Sequence, residues 1–229
     1  MVQGLLLVNK PIGISSFRVV SIVRGIIKAN TKQKIKVGHS GTLDPLASGL
    51  LVIAVGPYTK RLTALTELQK TYIAEAVLGK NSTTGDSEGQ IKVVSSKRPT
   101  RESIKLALVS FKGVSLQTPP VFSAVKVDGI RAYKLARQGL RPSIKPRQIN
   151  IKEIEIVSYK YPCLKIKTTV SSGTYIRVLV EDIGKELGTG AYIKHLVRTR
   201  VGNFDLDKAV ELSQLNYPIL LNNLITLEN

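Results

Sequence analysis

The 229-residue sequence contains one cysteine, two histidines and no tryptophan. A single cysteine excludes an intrachain disulfide and a cysteine-rich zinc site. Cys163 lies in an alternating apolar stretch, which favours a packing role over a reactive thiol. With so few histidines, the sequence shows no cluster with the spacing of metal ligands. We therefore predict that the protein has no metal site.

Long apolar segments are also missing. The longest run, residues 50–55, is far too short to cross a bilayer. Residues 1–4 lack the basic stretch, apolar core and cleavage site of a secretory signal. Hydrophobic residues nevertheless make up 43% of the chain, which is a globular value and sufficient for a sizeable core. These features predict a cytoplasmic protein without a membrane partner.

Acidic residues are scarce, because 16 Asp and Glu face 34 Lys and Arg, a net charge of +18. A chain this basic is expected to bind a polyanion, and nucleic acid is the default candidate. The alternatives are a basic proteome, mere solubility and a membrane-surface protein, but no lysine-rich amphipathic helix of the kind that lies on lipid is apparent. The basic residues are spread along the chain, which suits a broad RNA-binding face. Charge alone does not separate an enzyme from a ribosomal protein.

Hydrophobic periodicity and turn residues predict an α+β protein. The predicted strands cover residues 4–9, 49–56, 70–78, 149–157, 164–170 and 192–204. The predicted helices cover about residues 16–27, 59–68, 99–111, 133–137, 175–187 and 206–212. The expected N-caps are Ser15 or Ser16 for the first helix and Thr100 for the third. The apolar positions of helix 99–111 are Ile104, Leu106, Leu108 and Val109.

The most informative segment is residues 38–50, which read GHSGTLDPLASGL. Its glycines allow tight turns and the close approach of a ligand. Pro45 restricts the backbone of Asp44 to extended conformations, which would fix the direction of the Asp44 carboxylate. Without further context, Asp-Pro is more often an ordinary turn, and a lone His39 is more often a hydrogen-bonded loop residue.

This segment resembles the signature of the TruB family of tRNA pseudouridine synthases, whose run GHxGTLDPxAxG carries the catalytic aspartate. The resemblance extends over nearly the whole chain and keeps the family's order of motifs. The further matching segments are NKPIGISS (residues 9–16), KTY (70–72), residues 79–89 with Thr84 and Asp86, PPVFSAVK (119–126), GTYIR (173–177), and Leu196 with Arg198.

The resemblance implies a pseudouridine synthase fold, with a central mixed, mainly antiparallel sheet flanked by helices and a basic thumb-like insertion. It also implies conversion of uridine 55 in the tRNA T loop to pseudouridine, with Asp44 as the catalytic carboxylate. The reaction involves no redox change and no net hydrolysis, so we expect neither cofactor nor metal. The carboxylate either attacks the sugar or removes a sugar proton, and the sequence leaves both routes open.

The family motifs assign further site residues. By resemblance, Arg177 pairs with Asp44, although an ion pair with Glu181, four residues along the same helix, is the alternative. Tyr72 would stack on the target base, while Tyr175 and Leu196 would line the uracil pocket. His39 would lie against the nucleotides vacated when the base flips out. Lys10 is expected to be structural first and phosphate-binding second.

The resemblance also predicts the domain layout and the partners. Residues 1–205 would form the catalytic domain with an insertion at about 118–148, and residues 206–229 would add a short helix and tail without a PUA-type domain. The insertion would hold the tRNA T stem-loop through basic residues, namely Lys126, Arg131, Lys134, Arg137, Arg141, Lys145 and Arg147. A monomer without an obligatory protein partner is expected. The alternatives are a pseudouridine synthase for another RNA and a non-catalytic RNA-binding module.

Overall fold

The computed structural model describes residues 2–140 and 142–226, so the predicted phosphate-binding residue Arg141 lies outside the described residues. The strands are β1 (Gly4–Lys10), β2 (Val37–His39), β3 (Ala47–Val55), β4 (Lys70–Leu78), β5 (Lys80–Ser82), β6 (Ile91–Val93), β7 (Gly113–Gln117), β8 (Lys126–Val127), β9 (Ile130–Arg131), β10 (Arg147–Lys160), β11 (Cys163–Val170), β12 (Ala191–Val201), β13 (Phe204–Asp205) and β14 (Val210–Glu211). The α-helices are α1 (Ser16–Thr31), α2 (Leu62–Glu67), α3 (Arg101–Ser110), α4 (Ala132–Arg137), α5 (Ile176–Glu186) and α6 (Tyr217–Asn222). The predicted α+β class, with a mixed sheet flanked by helices, is confirmed.

The chain divides into two compact units. Unit 1 comprises Met1–Tyr72 and Leu196–Asn229, and unit 2 comprises Ile73–His195. In unit 1 the strand order is β14-β1-β3-β12. β1 runs antiparallel to β3, whereas β3 runs parallel to β12 and β14 runs parallel to β1.

Both faces of the β1–β3 pair are buried. Because successive side chains of a strand point to opposite faces, Leu6 and Val8 pack in one cluster while Leu5 and Leu7 pack in another. The first cluster includes Val19, Val20, Val23 and Ile27 of α1. Ser15 is the N-cap of α1, and its hydroxyl accepts a hydrogen bond from the Arg18 amide at 3.1 Å. The helix therefore begins where the sequence predicts.

In unit 2 the strand order is β4-β11-β10-β7, and β10 is antiparallel to both of its neighbours. α3 contacts β10 and α5, and Thr100 caps α3 as predicted, with its hydroxyl accepting from the Ser103 amide at 3.1 Å. The predicted apolar face of α3 is partly wrong. Ile104, Ala107 and Leu108 are buried, but the side chains of Leu106 and Val109 are 73% and 56% exposed. A helical period of 3.6 residues places those two on the opposite side.

The β7–β10 insertion is defined here as residues 118–146, the segment between these two strands. It contains the β8–β9 hairpin and α4. Asp128 and Gly129 form the hairpin turn with φ of 49° and 82°, the positive values that a tight two-residue turn requires. Among the described residues of this segment, five basic side chains are exposed, namely Lys126, Arg131, Lys134, Arg137 and Lys145.

The predicted helix at 206–212 is wrong. Short 3-10 turns at Leu206–Lys208 and Leu212–Gln214 flank β14, which pairs with β1 through Val8 and Val210. The helix of this region is α6, where the Asn216 side chain accepts from the Ile219 amide at 2.9 Å. Asn216 followed by Pro218 is an N-terminal helix signal that predicts α6.

Candidate active site

Asp44 lies half-buried in the loop of residues 40–46 between β2 and β3. Backbone contacts fix this loop on both sides of Asp44. The Ser16 hydroxyl accepts from the Leu43 amide at 2.8 Å and donates to the Leu43 carbonyl at 3.0 Å. The Gly13 amide donates to the Pro45 carbonyl at 2.8 Å. The backbone of the chain at Asp44 is therefore fixed through its immediate neighbours, Leu43 and Pro45.

Arg198 of β12 holds the ends of the same segment. Its side chain is 1% exposed, and Nε donates to the Leu50 carbonyl at 2.8 Å while Nη2 donates to the Gly41 carbonyl at 3.1 Å. A buried guanidinium needs such acceptors to compensate its lost hydration. Arg198 thus ties Gly41, near the start of the Asp44 loop, to Leu50 of β3.

Gly49 allows β3 and β12 to approach closely. A Cβ at this position would lie 2.4 Å from the Arg198 carbonyl oxygen and 2.9 Å from the Arg198 amide nitrogen. The φ angle of Gly49 is +101°, which side chains other than that of glycine rarely tolerate. The glycine of the sequence motif is therefore required for the strand contact that carries Arg198.

Lys10 is a fully buried cation at the end of β1, with 0% exposure. Its ammonium group donates to the carbonyls of Pro11 at 2.9 Å and Ile14 at 2.8 Å. Burial lowers the Lys10 pKa from 10.5 to about 8, against the opposing effect of the Asp44 carboxylate, while Arg198 lowers it further. The ammonium faces carbonyls and a carboxylate in the interior, which supports the structural role predicted first for Lys10.

Two further titratable groups lie near Arg198. Lys70, at the start of β4, donates to the carbonyls of Thr66 and Leu68. Burial lowers the Lys70 pKa to about 8, and the Arg198 charge adds to this effect. Burial also lowers the pKa of His39 below its usual 6.5, and Arg198 contributes in the same direction. Its surroundings therefore favour the uncharged imidazole.

Tyr72 and Leu196, the predicted base-stacking and pocket-lining residues, are both nearly buried in unit 1. Tyr72 in β4 is 9% exposed, and Leu196 in β12 is 7% exposed. Leu196 pairs with Ala47 across the parallel β12–β3 ladder. Ala47 is the third residue after Asp44, so Leu196 lies beside the strand that follows the Asp44 loop. Unit 1 therefore contains Asp44, Lys10, His39, Tyr72 and Leu196.

Arg177, in the first turn of α5, belongs to unit 2. Its guanidinium is buried and fixed by three contacts within that unit. Nη1 donates to the Thr84 carbonyl at 3.1 Å and lies 3.4 Å from Oδ2 of Asp86, and Nη2 donates to the Phe122 carbonyl at 2.9 Å. The planar fork of an arginine suits this set of acceptors.

Asp86 is 2% exposed and well satisfied by its own surroundings. Its Oδ1 accepts from the Thr84 hydroxyl at 2.5 Å and from the Glu88 amide at 3.0 Å. The sequence motif includes Thr84 and Asp86, but spacing alone did not indicate that they bind Arg177. Thr84 and Arg177 are 93 residues apart in the chain, so only the fold brings them together.

Glu181, the alternative partner of Arg177, is half-buried on α5. Burial raises its pKa above 4.5, and Asp182 and Asp86 raise it further, while Lys185 and Arg177 act in the opposite direction. Arg177 thus influences Glu181 electrostatically. The ion pair of Arg177 in unit 2 is nevertheless with Asp86.

Tyr175 is the N-cap of α5, two residues before Arg177, and has no side-chain capping bond. The side-chain amide of Gln117 forms hydrogen bonds with both the N–H and the C=O of Tyr175. The Tyr175 amide donates to Oε1 of Gln117 at 2.8 Å, and Nε2 of Gln117 donates to the Tyr175 carbonyl at 3.1 Å. Arg147 lies over the Tyr175 ring at 5.2 Å from its centroid. Arg147 was predicted to bind phosphate, and in this structure it contacts an aromatic ring.

Several residues of these clusters were not predicted as site residues, namely Ser16, Lys70, Asp86, Gln117 and Arg198. The signal available for Arg198 was its place in the Leu-x-Arg motif. No group of His, Cys, Asp and Glu that could hold a metal ion forms among the residues described here. Among those same residues, every helix is too short or too polar to span a bilayer.

Comparisons with known proteins agree with the motifs. A family model described as TruB family pseudouridylate synthase (N terminal domain) matches residues 28–176. A second, described as tRNA pseudouridylate synthase B C-terminal domain, matches residues 177–223. The chain is 44% identical over 226 residues to tRNA pseudouridine synthase B of Clostridium acetobutylicum, covering 99% of this chain and 76% of that protein. It is 42% identical over 205 residues to tRNA pseudouridine synthase B of Bacteroides fragilis, covering 89% and 88%.

Solved structures give the same fold. A chain of a Cbf5-Nop10-Gar1 complex superposes with a TM-score of 0.72 at 29% identity, over 93% of this chain. A chain of an H/ACA RNP bound to a substrate RNA containing 2′-deoxyuridine gives 0.68 at 26% identity, also over 93%. The present chain spans about half the length of both, 53% and 52%. From the matched family model and the identity to full-length relatives, the chain belongs to the TruB family of pseudouridylate synthases.

Proposed function

We propose that this protein isomerises uridine 55 in the T loop of tRNA to pseudouridine, with Asp44 as the catalytic carboxylate. The observation that carries the assignment of Asp44 is the rigid attachment of its loop, held at Gly41, Leu43, Pro45 and Leu50. A catalytic group must be held close to its productive geometry, and such backbone bonds provide that. The curated relatives named tRNA pseudouridine synthase B support tRNA as the substrate.

The reaction exchanges the N1–C1′ glycosidic bond of uridine for a C5–C1′ bond, with rotation of the detached uracil between the two steps. C5 loses its proton and N1 takes one up, so the product is an isomer of uridine. Asp44 acts as an ionised carboxylate, either as nucleophile at the sugar or as base for a sugar proton. The Asp44 carboxylate acts to raise the pKa of Lys10, so the Lys10 ammonium is close enough to interact with this carboxylate.

The other predicted site residues have surroundings that suit their proposed roles. Tyr72 and Leu196 are largely withdrawn from solvent, as a stacking platform and a dry pocket wall require. The uncharged imidazole of His39, which its surroundings favour, can stack on or hydrogen-bond to nucleotides vacated by base flipping. The pairing of Arg177 with Asp44 stays a prediction from the family motifs.

The β7–β10 insertion is the proposed contact for the T stem-loop. Its exposed lysines and arginines would bind phosphates without reading sequence. The remaining proposals follow from the family resemblance: a cytoplasmic, monomeric enzyme without an obligatory protein partner or metal. The domain boundaries at 205 and at 118–148 belong to the same set of proposals.

The test uses an unmodified tRNA transcript labelled with tritium at C5 of uridine. Wild-type protein is expected to release tritium from one T-loop uridine, and Asp44→Asn is expected to release none while its Kd stays within about tenfold. Asp207→Asn is the matched control, because Asp207 is exposed and is not among the residues described around Asp44 or Arg177. This variant should behave as wild type. Tight binding by wild type without release would indicate a binding module. Tritium release from a ribosomal RNA transcript but not from the tRNA transcript would mean that the substrate is ribosomal RNA.

A further inference from the structure

The two ends of the β7–β10 insertion meet at one cross-strand pair. Gln117 is the last residue of β7 and Arg147 is the first residue of β10, and the antiparallel register places them opposite each other. Residues 118–146 therefore leave and re-enter the β-sheet at a single point. Any displacement of the insertion as a whole must act on this pair.

Both members of the pair contact Tyr175. Gln117, which is 5% exposed, bonds the Tyr175 backbone at both its amide and its carbonyl. Arg147 contacts the side chain, since its guanidinium covers the ring and Nη2 donates to the Tyr175 hydroxyl at 3.3 Å. One residue thus fixes where the backbone of Tyr175 lies, and the other fixes the orientation of its ring.

The amide of Gln117 also holds the residue at which α5 begins. Tyr175 makes no capping bond with its own side chain, and its carbonyl accepts from the Leu179 amide at 3.1 Å. Gln117 supplies the contacts that keep this residue in place at the helix start. The geometry of the first helical turn, which includes Arg177, therefore depends on a side chain from the base of the insertion.

A third contact runs from inside the insertion to Arg177. The Phe122 carbonyl accepts from Nη2 of Arg177 at 2.9 Å. The insertion consequently reaches the start of α5 by three routes: the Tyr175 backbone, the Tyr175 ring and the Arg177 guanidinium. An exposed basic hairpin with no functional connection would not need buried contacts of this kind.

We propose that Gln117 and Arg147 are positioning residues that transmit the placement of the β7–β10 insertion to Tyr175 and the first turn of α5. This inference rests on the proposed function in one respect, that the insertion contacts RNA. When RNA engages the insertion, the Gln117–Arg147 pair fixes Tyr175 and Arg177 in their working positions. These contacts are already formed in the structure, and RNA bound to the insertion would stabilise them further.

The first experiment measures hydrogen exchange at the Tyr175 amide by mass spectrometry with residue-level fragmentation, with and without unmodified tRNA transcript. In wild-type protein, tRNA should slow exchange at Tyr175 at least threefold. Gln117→Met removes the acceptor of that amide and should speed exchange and abolish the response to tRNA. Gln117→Glu keeps an acceptor oxygen and should restore most of the protection, which also covers the case in which Gln117→Met folds poorly.

The second experiment separates chemistry from binding. Single-turnover tritium release by Gln117→Met and by Arg147→Lys should fall at least tenfold, while the Kd for tRNA stays within threefold. Gln148→Met is the matched control for Gln117→Met, because Gln148 is the exposed neighbour of Arg147 in β10. Arg98→Lys, which alters an arginine lying 5.3 Å from the centroid of the Tyr161 ring, is the control for Arg147→Lys. Both controls should match wild type.

The outcomes distinguish this inference from the proposed function. If wild-type protein releases no tritium, the proposed function fails, and the exchange response of Tyr175 to tRNA still decides the inference. A Tyr175 amide whose exchange is the same with and without tRNA would overturn the inference. So would a loss of affinity in Gln117→Met with an unchanged single-turnover rate, because that result would make Gln117 a binding residue only.

Discussion

Ser16 binds both backbone polar groups of Leu43, the residue immediately before Asp44, with a single hydroxyl. Both partners are buried, with Ser16 1% and Leu43 3% exposed. Ser16→Ala would leave a buried amide and carbonyl unpaired, which costs about 1–3 kcal/mol per group. We expect a lower free energy of unfolding in urea and a single-turnover rate reduced about tenfold or more, since the Asp44 loop loses a fixed point.

Ser15→Ala is the control for this prediction. Ser15 is the exposed N-cap of α1, and loss of its cap bond should cost about 0.5–2 kcal/mol of stability. None of the hydrogen bonds described above joins Ser15 to the Asp44 loop. Turnover of Ser15→Ala, measured well below the midpoint of thermal unfolding, should therefore equal that of wild type. Equal losses of turnover in the two variants would show that stability alone explains the effect.

Arg177→Lys tests whether the planar fork of Arg177 is needed. Two different guanidinium nitrogens reach the carbonyls of Thr84 and Phe122, and one of them also pairs with Asp86. The ammonium group of a lysine cannot reach all three acceptors from one position. Losing a hydrogen bond to a charged group costs about 1.5–3 kcal/mol, so turnover should fall roughly tenfold to a hundredfold, measured by tritium release.

The control for Arg177→Lys is Arg101→Lys, at an exposed residue that begins α3. This variant keeps the net charge and should retain the wild-type rate. A wild-type rate for Arg177→Lys as well would mean that charge at position 177 is sufficient and that its hydrogen-bond geometry is not used.

The sequence predicted those parts of the site whose information is local. Asp44 stands in a long motif with Pro45 and several glycines, and the caps Ser15 and Thr100 precede apolar helical positions directly. Each of these features depends on residues close together in the chain. They could therefore be read before any fold was known.

The missed residues share the opposite property. Arg198 bonds Gly41 and Leu50 across about 150 residues, and Gln117 bonds Tyr175 across 58. Such partners are set by strand order and register, which hydrophobic periodicity does not determine. The error at Leu106 and Val109 has a different cause: apolar residue type was taken as a sign of burial, although exposed apolar residues are common.

Lys10 predicts a pH dependence of stability. Burial lowers its pKa from 10.5 in the unfolded chain to about 8 in the folded one. Between these values the unfolded state binds more protons, so the free energy of unfolding should rise as the pH increases from about 8 towards 10.5. Lys70 should contribute in the same direction. Lys10→Met should give a shallower rise, measured by urea unfolding at several pH values in this window.

Lys34→Met is the control for the pH experiment, because Lys34 is exposed in the loop before β2. It should leave the pH dependence of the unfolding free energy as in wild type. If the slopes for Lys10→Met and wild type coincide, Lys10 keeps its usual pKa in the folded protein, and the proposed electrostatic contribution of the buried ammonium beside Asp44 fails.

Gly49→Ala separates the strain of a positive φ from the close approach of two strands. Gly49 and Gly113 both lie in strands and have nearly the same φ, +101° and +98°, but only at Gly49 would a Cβ point into the backbone of the neighbouring strand. A Cβ at Gly49 would meet the Arg198 backbone at 2.4 Å, whereas a Cβ at Gly113 would meet no atom within 4 Å.

Gly113→Ala should therefore lower the free energy of unfolding by about 1–2 kcal/mol, the typical penalty of a left-handed residue with a side chain. Gly49→Ala should cost clearly more and should also reduce tritium release by folded protein, because the β3–β12 contact that carries Arg198 must open. Equal destabilisation of the two variants would show that this contact adjusts freely and does not determine the position of the Asp44 loop.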